Sequence, residues 1–268
     1  MLFEPLLFKD LPEIGKLSPE GWEDITPIHE FYINSKNCYP LKVIINNKIV
    51  GLGTSIVFKN SAWLAHIIVD QNFRNKGIGY KMVEHLLQFC KNTAIETILL
   101  VATDLGQPVY SKAGFRVLTE YSNFKKEKSH WKQSISEKNI FPFKDEFCSA
   151  ILEIDKKISG ENREKFITDY FTNALVYIDK DKVLGYFLPD LKDGLIYAEN
   201  TNAGIELMKI KYEKIDKAVI PSENIPGIEF LKQNGFVYTG KRGTRMIHGK
   251  DITWHPDKIF SWGGGNIG

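Results

Sequence analysis

Cysteine is scarce in this sequence of 268 residues, which contains only Cys38, Cys90 and Cys148. The three are far apart and form neither a Cys-x-x-Cys pair nor a Cys/His cluster, so the sequence predicts no disulfide framework and no metal site. Sparse use of cysteine fits a reducing compartment. We therefore expect a cytoplasmic protein without a bound metal.

Long hydrophobic runs and a strong net charge are also missing. No window approaches the roughly 18 uninterrupted apolar residues of a membrane span, and Glu4 and Pro5 interrupt the N-terminal apolar residues, which lack the basic start of a signal peptide. The formal net charge is only +2, whereas a nucleic-acid binder normally carries a large basic excess on one face. We expect neither a membrane nor a nucleic acid as partner.

One short stretch, RNKGIG at residues 74–79, combines glycine with positive charge. A buried strand is predicted before it, and apolar residues at helical spacing predict a helix after it. At such a strand-to-helix turn, unpaired backbone amides and the helix dipole favour an anion. The simplest alternative is a glycine-rich turn with solvated lysines.

Three kinds of phosphate-binding loop can be compared with this stretch. A Walker A loop requires Gly-Lys-Ser/Thr, but Tyr80 follows Gly79. A dinucleotide fingerprint requires a third glycine at the position of Met82. The pattern that fits completely is Arg-x-x-Gly-x-Gly, the turn that holds the pyrophosphate of coenzyme A.

A second motif, ATDLGQPVYSKAGF, occupies residues 102–115, where Pro108 can open a short helix and Gly114 can close it. Together with the glycine turn, it resembles the GNAT family of acyl-CoA-dependent N-acyltransferases over roughly residues 1–121. The resemblance implies an α/β fold with a mixed, mostly antiparallel twisted sheet and helices on both faces. It further implies acetyl-CoA as cosubstrate and direct attack by the amine of a small-molecule acceptor.

The resemblance also implies where the cosubstrate binds. Backbone groups of the first buried strand would pair with the pantetheine arm and supply an N–H to the developing oxyanion. Amides of the glycine turn would hold the pyrophosphate, and Arg74 would add a charge-assisted bond. The predicted cofactor-binding residues are Ile67, Ile68, Val69, Arg74, Asn75, Lys76, Gly77, Ile78, Gly79, Tyr80, Asp104, Gly106 and Tyr110.

Two catalytic residues are predicted. Tyr110 matches the family's tyrosine that protonates the leaving thiolate, although it could instead be a core residue of the short helix. His66 is a candidate general base; by strand alternation it faces away from Ile67 and Val69, and its alternative is a hydrogen-bonded core histidine. Asp104 is the other nearby candidate base, and its alternative is an N-cap for the short helix.

The C-terminal half contains a faded repeat of the N-terminal half. NKIVGLG at residues 47–53 parallels DKVLGYF at 181–187, and YSKAGFRV at 110–117 parallels LKQNGFVY at 231–238. In place of the glycine turn, the second copy has ENTN, without a cation or a glycine pair. We therefore expect coenzyme A to bind the N-terminal half alone.

This repeat divides the chain into an acyl-CoA-binding, catalytic GNAT domain at residues 1–125, a polar linker at 126–139 and a degenerate GNAT-like domain at 140–268. The arrangement resembles a GNAT subgroup with an appended C-terminal domain, which here would form the acceptor cleft or a lid. The predicted wall residues are Glu199, Asn200, Arg242 and Arg245. For the two arginines, solvated surface charge is the alternative.

The oligomeric state is expected to be a monomer or a homodimer. A non-catalytic acyl-CoA-binding sensor or scaffold is the alternative from another functional class. Such a protein would keep the pyrophosphate turn but would not need Tyr110.

Overall fold

The computed structural model describes residues 1–93, 95–127 and 137–268. Residues 128–136, which make up most of the predicted linker, lie outside the described residues. The chain forms two compact units. Unit 1 comprises Met1–Arg116, Met246–Lys250 and Ile267, and unit 2 comprises Val117–Arg245, Asp251–Asn266 and Gly268.

Unit 1 is a mixed sheet with helices. Its elements are β1 (Leu2–Pro5), α1 (Leu11–Ile14), α2 (Thr26–Asn34), β2 (Cys38–Ile45), β3 (Lys48–Val57), β4 (Ser61–Val69), α3 (Ile78–Asn92), β5 (Thr97–Ala102) and α4 (Gln107–Lys112). Strands β1 to β4 pair antiparallel in sequence order, whereas β5 runs parallel to β4. The crossover from β4 to β5 is made by α3, as a parallel pair requires.

Two apolar clusters cover the faces of this sheet. Met82 and Leu86 of α3 pack in one cluster with Val69 of β4. Ile28 of α2 packs in the other with Ile68 of β4. Because successive side chains of a strand point to opposite faces, α2 and α3 lie on opposite faces of β4.

Unit 2 contains further strands and helices. They are β6 (Arg116–Lys126), β7 (Ile140–Pro142), α5 (Cys148–Ser159), α6 (Glu164–Ile167), β8 (Leu175–Asp179), β9 (Lys182–Leu188), β10 (Leu195–Ala198), α7 (Thr201–Lys214), β11 (Lys217–Pro221), α8 (Ile225–Gln233), β12 (Phe236–Gly249) and β13 (Ile259–Ser261). One sheet has the strand order β13-β10-β9-β8-β7. In the other sheet, β6 lies between β12 and β11.

The last residues of β12 belong to unit 1, where the strand lies next to β5. The Lys250 N–H donates to the Glu96 carbonyl at 2.9 Å, and the Thr97 hydroxyl donates to the Lys250 carbonyl at 2.8 Å. Met246 is fully buried in the same cluster as α3. Unit 1 therefore takes one of its strands from near the C-terminal end of the sequence.

The repeat is visible as matching backbone geometry. The β2–β3 hairpin turns at Asn46–Asn47 and the β8–β9 hairpin at Lys180–Asp181, and all four residues have positive φ. This conformation is that of a two-residue type I′ turn. Each hairpin also has a register shift at the corresponding place, between Val43 and Ile44 and between Tyr177 and Ile178. The two halves thus share a distinctive local structure.

Lys211 of α7 is buried in unit 2. The Lys211 ammonium donates to the Gly194 carbonyl at 2.9 Å, to the Ser261 hydroxyl at 2.5 Å and to the Asp193 carbonyl. Burial lowers the pKa of Lys211 to about 7, although the charge of Asp193 acts in the opposite direction. Its protonation therefore couples to the stability of this unit.

Among the residues that the structure describes, no helix is both long and apolar enough to cross a membrane. Within the same residues, no group of three or more His, Cys, Asp or Glu side chains is placed to hold a metal ion.

Candidate active site

Strand β4 has a bulge at the residues predicted to hold the cofactor arm. Leu52 of β3 pairs with Ile68 and Thr54 pairs with Ala65, so one residue of β3 faces two residues of β4. His66, at this bulge, has a φ of 48°. Bulges redirect side chains and are common beside active sites.

Strands β4 and β5 pair only at their beginnings. Within the described chain, their ladder ends at Trp63 and Leu99, whereas β4 continues to Val69 and β5 to Ala102. Residues 64–69 thus have an edge that β5 does not pair. Such an edge offers backbone N–H and C=O groups to an extended ligand, and Ile67, Ile68 and Val69 lie on it.

The glycine turn lies between this edge and α3. Asn75 and Gly77 have φ values of 60° and 76°, and Gly77 precedes the first residue of α3. The first hydrogen bond at the start of the helix runs from the Lys81 N–H to the Gly77 carbonyl at 3.1 Å. The amides of the preceding first turn, Ile78, Gly79 and Tyr80, therefore have no acceptor within the helix, an arrangement that favours an anion.

Two exposed cations flank these amides. Arg74 Nε donates to the Val69 carbonyl at 3.1 Å, and Lys76 Nζ donates to the Asn72 carbonyl at 3.2 Å. Lys76 also lies over the Phe73 ring, 5.0 Å from its centroid. These contacts hold both side chains at the turn, where their charge favours a phosphate.

Glycine at position 79 brings the turn close to α4. A Cβ built on Gly79 would lie 3.7 Å from Val69 Cγ2 and 3.9 Å from Val109 Cγ1. The end of β4, the start of α3 and the middle of α4 therefore meet at this residue. Tyr110, the predicted acid, follows Val109 directly.

Tyr110 is buried, with 9% of its surface exposed. Its ring packs against Phe115 and so closely against Gly106 that a Cβ there would lie 2.9 Å from Tyr110 Cε2. Burial raises the pKa of Tyr110 well above its usual value. The hydroxyl therefore stays protonated at neutral pH and can donate a hydrogen bond.

The predicted alternative for Asp104, an N-cap of α4, is wrong. The N-cap position is Gly106, and its N–H donates to Thr103 Oγ1 at 3.2 Å. Asp104 lies between these residues and is exposed. Thr103, the residue before Asp104, accepts this hydrogen bond within the loop, and α4 has no side-chain cap at its N-cap position.

His66 lies on the α2 side of β4, opposite to the side of Ile67 and Val69 that packs with α3. Its Nδ1 is 2.9 Å from the hydroxyl of Tyr32. The His29 and Trp22 rings approach the His66 ring edge-on, with centroids 5.6 and 6.0 Å away. Tyr32 and His29 were not predicted as site residues, although their spacing of three residues places them on one face of a helix.

Comparison with known proteins bears directly on this site. Residues 7–115 match the sequence model of the Acetyltransferase (GNAT) family. The match includes both sequence motifs, RNKGIG at residues 74–79 and ATDLGQPVYSKAGF at 102–115. No curated protein matches the sequence.

Solved structures extend the likeness in fold to the whole chain. A protein from Pyrococcus horikoshii, solved as a candidate acetyltransferase, has a TM-score of 0.82 at 17% identity, over 100% of this chain and 95% of its own. A tandem GNAT protein of the clavulanic acid biosynthesis pathway has a TM-score of 0.62 at 12% identity, over 94% and 99%. A GCN5-related N-acetyltransferase from Anabaena variabilis has a TM-score of 0.60 at 13% identity, over 92% and 72%. The predicted GNAT fold class is confirmed.

Outside the matched residues, Glu199 and Asn200 follow β10 directly in unit 2. Glu199 accepts hydrogen bonds from Lys157 at 2.8 Å and Lys258 at 3.4 Å. Although burial raises the pKa of Glu199, these lysines outweigh it and lower the pKa below its usual value. The Asn200 side chain caps α7 by accepting from the Ala203 N–H at 2.9 Å. Both residues therefore have structural partners in unit 2.

The two arginines of the predicted wall differ. Arg242 is exposed, with its guanidinium 6.0 Å from the Trp262 ring centroid. Arg245 is 1% exposed, so surface charge is the wrong explanation for it. Its guanidinium lies 4.1 Å from the Trp254 ring centroid and 3.8 Å from the Glu161 carboxylate. A role for either in acceptor binding stays a prediction.

Proposed function

We propose that the protein transfers an acetyl group from acetyl-CoA to the amine of a small molecule by direct attack. The observation that carries the proposal is the arrangement around Gly79, where the anion-binding turn, the unpaired edge of β4 and α4 meet. An extended acyl-pantetheine arm needs such an edge, and its pyrophosphate needs amides at the start of a helix.

In this proposal, the amides of residues 74–79, with Tyr80 beside them, hold the pyrophosphate and Arg74 adds its charge. Backbone groups of residues 67–69 bind the arm and polarise the thioester carbonyl. Asp104 and Gly106 contribute from the loop before α4. The second copy binds no coenzyme A, which is supported by its helix start, where Asn200 caps α7 with its own side chain.

The chemistry follows from the two titratable side chains. The neutral amine attacks the thioester carbonyl, so a C–N bond forms and the C–S bond breaks, and His66 accepts the proton that the amine releases. Because burial raises the pKa of Tyr110, its phenol is a weaker acid than a thiol. Tyr110 therefore stabilises the departing thiolate mainly as a hydrogen-bond donor. The thiolate then takes a proton from solvent to give the free thiol of coenzyme A.

The test is acetyl transfer to a panel of amines, followed by the release of free coenzyme A thiol. Tyr110→Phe should lower kcat by about 10²-fold or more while the Kd for coenzyme A stays the same, since only the hydroxyl is removed. If Tyr110→Phe has the same kcat as an active wild type, Tyr110 has no part in the mechanism. Binding of acetyl-CoA without transfer to any amine would favour the non-catalytic sensor.

A further inference from the structure

Helix α2 positions the side chain of Tyr32 against His66, the candidate base. Tyr32 is fully buried, and its hydroxyl lies 2.9 Å from His66 Nδ1. The Tyr32 ring is packed between His29 and Phe31, with centroids 5.8 and 6.0 Å away. A buried aromatic ring with neighbours of this kind cannot change rotamer easily, so the hydroxyl is held in place.

His66 needs such support because of its backbone. A non-glycine residue with a φ of 48° is strained, and the surrounding structure must hold it there. The bulge removes His66 from the regular β3–β4 pairing. The rings of Trp22, His29 and Tyr32 also approach the His66 ring edge-on. The titratable groups among these neighbours are His29 and Tyr32, both on α2.

The direction of the Tyr32–His66 hydrogen bond decides what the imidazole can do. If the hydroxyl donates to Nδ1, the neutral ring carries its proton on Nε2 and has no lone pair left to accept another. If Nδ1–H donates to the hydroxyl oxygen, Nε2 keeps its lone pair. Only the second arrangement leaves the hydrogen bond unchanged when the ring becomes protonated, because both nitrogens of an imidazolium are donors.

We propose that Tyr32 is a positioning residue for His66, accepting a hydrogen bond from Nδ1–H so that Nε2 is the proton acceptor. The inference rests on the proposed function for its catalytic consequence, but the tautomer itself can be observed independently. Tyr32 does not touch the reacting atoms in this scheme. It fixes the tautomer and the orientation of the ring at the bulge.

The first measurement is independent of activity. In protein labelled with ¹⁵N-histidine, the two ring nitrogens of His66, assigned with His66→Gln, should show a protonated Nδ1 and an unprotonated Nε2 at high pH. In Tyr32→Phe, this distinct pattern should give way to the averaged shifts of exchanging tautomers. A wild-type ring protonated on Nε2 would overturn the proposal.

The second measurement is the pH dependence of kcat/KM for the amine. Tyr32→Phe should lower it about tenfold, the scale of one orienting hydrogen bond, and shift its acid limb, while KM for acetyl-CoA stays constant. Tyr39→Phe is the matched control, because Tyr39 is 45% exposed on β2 and contacts Phe89 instead. Equal profiles for the two variants would overturn the positioning role. If the wild type acetylates no amine, the proposed function fails, and the ¹⁵N pattern still decides the tautomer.

Discussion

Substituting Gly106 by alanine should displace the Tyr110 ring without removing its hydroxyl, because Gly106 lies directly against that ring. In Gly106→Ala, the new Cβ would lie 2.9 Å from Tyr110 Cε2 and 3.5 Å from Cζ. Gly106 has φ −83° and ψ −28°, a conformation that alanine adopts freely. The substitution therefore introduces no backbone strain, and its effect passes through the ring.

The size of the effect follows from the geometry. Carbon atoms in good contact lie about 3.5 to 4.0 Å apart, so the ring must move by roughly 0.5 Å or more. A misplacement of about 1 Å can cost 10²-fold in rate. We therefore expect kcat to fall about tenfold, with an overpacking cost of about 1–3 kcal/mol in the free energy of unfolding.

The assay is steady-state acetyl transfer combined with urea denaturation. The double variant Gly106→Ala/Tyr110→Phe is the control, because two changes that act through one hydroxyl do not add. Its kcat should equal that of Tyr110→Phe alone. If the two losses multiply, or if Gly106→Ala retains full kcat, the ring's position is not what limits the rate and the reasoning is refuted.

Three further predictions follow from the fold. Gly77→Val should raise the Kd for coenzyme A at least tenfold, measured by calorimetry. Gly21 has nearly the same positive φ and equally open surroundings, so the control Gly21→Val should lower the free energy of unfolding in the same way but leave the Kd unchanged. A fragment that ends at residue 135 should fail to unfold cooperatively by circular dichroism, since it lacks residues 246–250 of unit 1; a cooperative transition equal to that of the full chain would contradict this. Lys211 loses its proton near pH 7 when folded but near pH ~10.4 when unfolded, so the unfolded state binds more protons between these values and the free energy of unfolding should rise with pH there. Lys211→Met should abolish that rise in urea titrations at pH 7 to 9, and an unchanged slope would show that Lys211 does not titrate in this range.

Parts of the candidate site that depend on local sequence could be predicted. The glycine turn was predicted because Arg74, Gly77 and Gly79 lie within one short stretch of the chain, residues 74–79. The short helix was predicted because Pro108 and Gly114 mark its ends, and the resemblance to the GNAT family singled out Tyr110 on it. Local backbone preferences determine both features, and one sequence is sufficient to recognise them.

The parts that were missed depend on residues far apart in the chain. The bulge at His66 is defined by pairing with β3, and no glycine or proline in the surrounding strand signals it. Tyr32 reaches His66 across 34 residues. The burial of Arg245 depends on Glu161 and Trp254, which no sequence pattern connected to it. Such contacts are set by tertiary packing, which overrides what a local pattern indicates.

The position of the end of β12 has a consequence for synthesis of the chain. Most of unit 1 is complete at Arg116, yet its sheet includes Met246–Lys250, about 130 residues later. At about 5–20 residues per second, the ribosome needs roughly 7–26 s to supply them. During that interval the edge of β5 has no neighbouring strand, and an unpaired edge is where nascent chains pair with one another. Premature termination before Met246 should therefore yield aggregates rather than a shorter chain with a folded unit 1.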